Sequence, residues 1–134
     1  MRAMQAVPAP RDRVLWADVG LAGVAALAYL LIGGGILAVG DLQQADAPPA
    51  IIFVCAGCYL LGGLLILWRR RSLWMAGAAI NALVMLVFFS AYAARPAVLF
   101  SPGGLLTKAA QVLLEVGLIY LIVTYPARAP APPR

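Results

Sequence analysis

The chain has 134 residues, 64% of them apolar and 11% charged, with a net charge of +5 and a mean hydropathy of +0.95. Water-soluble domains carry about 25% charged residues, so this composition excludes an ordinary soluble globule and makes lipid the expected solvent. The absence of histidine removes bis-histidine haem, the usual nitrogen-ligated zinc and copper sites and all imidazole acid–base chemistry, so neither metal nor cofactor is expected.

Four apolar runs, at about 14–39, 50–68, 73–94 and 105–125, each match the ~20 residues that cross a ~30 Å hydrocarbon core. Backbone polar groups have no water to bond there, so each run is expected to be a helix. The predicted fold is a single all-α domain over 1–134, an integral membrane four-helix bundle running up-down-up-down. Short links make consecutive helices expected neighbours.

The first run follows Arg2, Arg11 and Arg13 and ends in the small residues Ala38, Val39 and Gly40. That ending has the spacing of a signal-peptide cleavage site, but the apolar stretch far exceeds the ~7–15 residues of a signal h-region, so four spans are retained. Asp18 lies near the start of this run, where Arg13 or the arginines at 69–71 are expected to pair with it at the interface. Gly33, Gly34 and Gly35 predict a kink in the outer half.

The link at 40–49 has two acids and no Lys or Arg, whereas Arg69, Arg70 and Arg71 fill the next one and Arg128 and Arg134 follow the last run. Eight of the ten basic residues share one side, which the positive-inside rule makes cytoplasmic, together with both termini. The expected location is therefore a cell membrane, crossed several times. The charge reflects topology and contact with anionic lipid heads; it forms no stripe suited to nucleic acid. The Pro-rich tail at 126–134 cannot continue a helix.

In the second run, Cys55-Ala56-Gly57-Cys58 sits one to two turns from the outer end. Four helices with a Cys-x-x-Cys at this place resemble membrane thiol oxidoreductases of the quinone-linked disulfide-forming type, which would imply a dithiol exchanging electrons with quinone. Those enzymes carry a second cysteine pair in the outer loop between helices three and four, and this chain has two cysteines in all. Free cysteine is also a common small apolar filler. The length is similar to that of small multidrug exporters, which carry an essential acid in helix one; Asp18 is too near the surface for that role.

Ionisable and amide groups inside a membrane are costly and face the protein interior. At 1.5 Å per residue, Asn81 lies roughly 12 Å into the third run and Glu115 roughly 15 Å into the fourth. Antiparallel neighbours would bring both to the midplane, where the Asn81 amide gives Glu115 a partner that need not be charged. Lys108, Gln111 and Glu115, spaced three and four apart, share one face. Lys108 is expected to snorkel to the outer interface as an anchor. The link at 95–104 is expected to form an interfacial turn in which Ser101 and Pro102 start the fourth helix as N-cap and N1.

Asn81, Gln111 and Glu115 thus form the candidate intramembrane polar site, either a packing lock or a lined cavity. The leading expectation is a non-catalytic accessory subunit or scaffold, partnered by the bilayer and by other membrane proteins or further copies of itself. A small-solute or proton-coupled carrier using that polar face comes second, and thiol redox chemistry at Cys55 and Cys58 third.

Overall fold

A computed structural model describes residues 9–37, 39 and 49–125. The expected outer link at 40–49, save Pro49, which begins α2, and the tail at 126–134 lie outside them. The described chain is helical: α1 (Pro10–Gly33), α2 (Pro49–Ile66), α3 (Arg71–Tyr92), a four-residue α4 (Pro96–Leu99) and α5 (Pro102–Thr124). Three of these, α1, α3 and α5, are long and apolar enough to cross a membrane, and α2 is a shorter apolar helix.

The helices begin earlier than the apolar runs because proline and charged residues form their first turns. Pro10 occupies the first turn of α1, with Asp12 beside it; proline is preorganised for that place, and the acid complements the helix dipole. Instead of kinking at its three glycines, α1 ends there. Gly35 adopts φ 71°, Gly35 N–H donates to Ile32 O at 3.0 Å and Ile36 N–H donates to Leu31 O at 2.9 Å. This is a complete Schellman closure, in which only a residue free of Cβ takes the left-handed position without strain.

The link expected as an irregular turn contains α4, packed on the start of α5, with Val98 and Ser101 buried and Phe100 exposed. Ser101 Oγ accepts from Gly104 N–H at 3.1 Å, so α5 starts with a side-chain cap followed by Pro102.

Packing runs from α2 to α1, from α1 to α5 and from α5 to α3; α2 and α3 barely touch although they are consecutive. Gly63 lets α2 approach α1 so closely that a Cβ there would lie 3.1 Å from that of Ala22, while Tyr59 stands between α2 and α3 and reaches Asn81. The turn joining them passes through Arg69 at φ 50°, a left-handed setting strained by roughly 1–3 kcal/mol in a non-glycine residue. At the same place Arg69 pairs with Asp12 at 2.9 Å.

The interior is divided. Towards the arginine-bearing end, Leu15, Ile66, Trp74, Leu114, Leu118 and Leu121 form an apolar core. Trp74 is fully buried, donates from Nε1 to Ile66 O at 3.1 Å and meets Tyr125 edge-on at 5.0 Å. Beyond this core, towards the opposite end, the interior is polar.

Candidate polar site

The polar half is built from α5 outward. Gln111, with no exposed surface, is its centre. Lys108, one turn earlier, donates from Nζ to Gln111 Oε1. Gln111 Nε2 in turn donates to Tyr59 Oη of α2, and also to Tyr29 Oη of α1 at 3.2 Å. Tyr59 Oη donates to Asn81 Oδ1 of α3 at 2.8 Å. Asn81 Nδ2 completes the path, donating to Glu115 Oε2 and to the Gln111 backbone carbonyl, both at 2.9 Å. The Tyr29 and Tyr59 rings stack with centroids 5.6 Å apart.

These contacts form one hydrogen-bonded chain from Lys108 through Gln111, Tyr59 and Asn81 to Glu115, with every donor on the lysine side of its acceptor. The chemistry of the groups fixes the amide orientations. Lysine offers only donors, so Gln111 must turn its oxygen to Lys108 and its nitrogen to the tyrosines. The Gln111 backbone carbonyl can only accept, so Asn81 turns its nitrogen to it and, on the same side, to Glu115. An amine and an acid are thereby joined through three polar residues in a low-dielectric interior, where aligned hydrogen bonds reinforce one another.

Asn81, Gln111 and Glu115 therefore come together, and the expected Asn81–Glu115 contact is direct. The sequence reading missed Tyr29 and Tyr59. The available signal was a phenol deep in an apolar helix, which needs a partner when buried. Lys108 does not reach outward as an anchor: it is 7% exposed, and its Nζ also lies 3.9 Å from the Phe88 ring centroid. The reason is that α5 begins at Pro102 under the packed α4, which leaves Lys108 nearly two turns inside the helix.

Asp18 also departs from its expected ion pair. Because α1 begins at Pro10, Asp18 lies roughly 12 Å into the helix, and Arg69 meets Asp12 of the first turn instead. Asp18 is 1% exposed, and its Oδ2 has no hydrogen-bond partner. Its carboxyl rests on the backbone of α5 at Gly117, where a Cβ would lie 1.8 Å from Asp18 Oδ1. Only glycine admits the carboxyl there.

Cys55 and Cys58 are free thiols on α2, the first half-buried and the second exposed. Among the described residues, no three His, Cys, Asp or Glu side chains gather that could hold a metal ion. No protein-family model matches the sequence, and the searches of curated proteins and of solved structures likewise returned no match.

Proposed function

We propose that this chain is a four-span protein of the cell membrane that acts as a non-catalytic accessory subunit or scaffold, packing with larger membrane proteins or with further copies of itself. In this reading α2 is the fourth span: its 18 residues reach about 27 Å, close to the ~30 Å core. The bundle runs up-down-up-down with the arginine-rich end in the cytoplasm, following the positive-inside rule.

The observation that carries the reading is the closed polar chain. Gln111, Asn81, Tyr59 and Lys108 bond to one another across α2, α3 and α5, which supports a packing role for these groups. The outer surface supports the same reading. Leu83, Leu86 and Val87 on α3 and Leu60, Leu61 and Leu64 on α2 are exposed, as expected of helices that meet lipid or other spans.

The test is purification from native membranes in mild detergent through an N-terminal tag, followed by mass spectrometry of the proteins recovered with it. Larger membrane proteins in constant stoichiometry, or a defined homo-oligomer, support the reading. Recovery as a bare monomer overturns it.

One observation favours a carrier as the second reading: the buried, unpartnered oxygen of Asp18, since intramembrane acids mark ion and proton paths. A carrier requires transport in proteoliposomes that is lost in Asp18→Asn or Glu115→Gln while the folded protein remains abundant.

A further inference from the structure

The Asp12–Arg69 ion pair, at 2.9 Å, ties the start of α1 to the turn between α2 and α3. It thereby gathers two basic segments at one end of the molecule. Arg69 and Asp12 neutralise each other. Arg11 and Arg13 of α1, Arg70 of the turn and Arg71 of α3 remain exposed at this end. Two tryptophans lie beside the basic segments in sequence and are equally open: Trp16 is 61% and Trp68 is 68% exposed. Indole rings settle at the headgroup level of a bilayer, with the ring in the acyl boundary and the N–H towards water. Arginine forks match phosphate oxygens bidentately.

We infer that Arg11, Arg13, Arg70 and Arg71, bordered by Trp16 and Trp68, form a surface that binds the phosphate headgroups of anionic phospholipids. The inference rests on the membrane reading above and adds the class of lipid selected. Asp12 limits the surface: by engaging Arg69 it removes a fifth guanidinium from the headgroup layer.

Native mass spectrometry of the full chain, titrated in detergent with phosphatidylglycerol or phosphatidylcholine, provides the test. Wild type is expected to retain phosphatidylglycerol preferentially, and added salt to weaken that retention. Each of Arg13→Gln, Arg70→Gln and Arg71→Gln is expected to lower the affinity about fivefold, the worth of one basic side chain near an anionic surface. Asp12→Asn, which frees Arg69, is expected to raise it. Equal retention of the two lipids, or phosphatidylglycerol binding unchanged across these four variants, overturns the inference. So does complete displacement of the lipid by equimolar inorganic phosphate. A chain that stays in solution without detergent would overturn the membrane reading itself, which separates the two failures.

Discussion

Replacing Gln111 by leucine removes the centre of the polar chain while nearly preserving volume. Two bonds to other helices are lost, to Tyr29 and Tyr59, each worth about 0.6 kcal/mol by the average for interhelical hydrogen bonds in bundles. The larger cost falls on Lys108, whose buried Nζ keeps the Phe88 ring but loses its hydrogen-bond acceptor. Stranding a buried polar group costs about 1–3 kcal/mol, and more for a charged one. Gln111→Leu is therefore expected to lower stability by roughly 2–4 kcal/mol. Adding Lys108→Met removes the stranded amine and fills its space with an apolar chain, which returns about 1–3 kcal/mol of that loss. The sign is the test: the double variant should be more stable than Gln111→Leu alone, measured by thermal or detergent-induced unfolding of the full chain in micelles. If the two losses instead add, Lys108 and Gln111 are not one unit and the lock is refuted.

Gly117→Ala is expected to cost about 1–3 kcal/mol through overpacking against Asp18, and Asp18→Ala in the same chain should suppress most of that cost; additive losses in unfolding experiments would show that the two sites do not touch. Gly35→Ala places a Cβ at φ 71° and should lower stability by about 1–2 kcal/mol, with Gly35→Asn costing less. Gly20→Ala, where a Cβ meets nothing within 4 Å, should leave the melting temperature unchanged or slightly raised. Ser101→Ala removes the cap of α5 and is expected to cost about 1 kcal/mol, seen as faster amide hydrogen exchange in its first turn.

Hydropathy made the helices legible because an apolar run of about 20 residues leaves its backbone groups no partners but one another, but it located their ends poorly. Arg11, Asp12 and Arg13 lie ahead of the first apolar run, yet they form helix, since charge bears on solvation and much less on backbone geometry. The glycines at 33–35 looked like a weak point within a span because sequence does not display the positive φ that makes one of them a terminus. Depth arithmetic placed Asn81 beside Glu115, since rise per residue is fixed once direction is known. It could not find Tyr59, because which face of α2 turns inward depends on packing, and α2 is apolar on every side. Lys108 was misread because α5 starts at Pro102, well ahead of it, and its amine is held inward between Gln111 and the Phe88 ring.

The one-way run of donors from Lys108 to Glu115 bears on how each helix is set about its own long axis. On α2 the close approach of Gly63 to Ala22 of α1 sets one face by shape, and the polar chain adds the requirement that the Tyr59 hydroxyl point to Gln111 and Asn81. Turning α2 by the 100° between successive residues would take the Tyr59 hydroxyl away from both Gln111 and Asn81. Because an amine and an acid bound the chain, no rearrangement of the middle three groups restores its continuity. The polar residues thus act as the teeth of a key, admitting one rotational setting of α2, α3 and α5 and rejecting neighbouring settings that lipid would tolerate equally well.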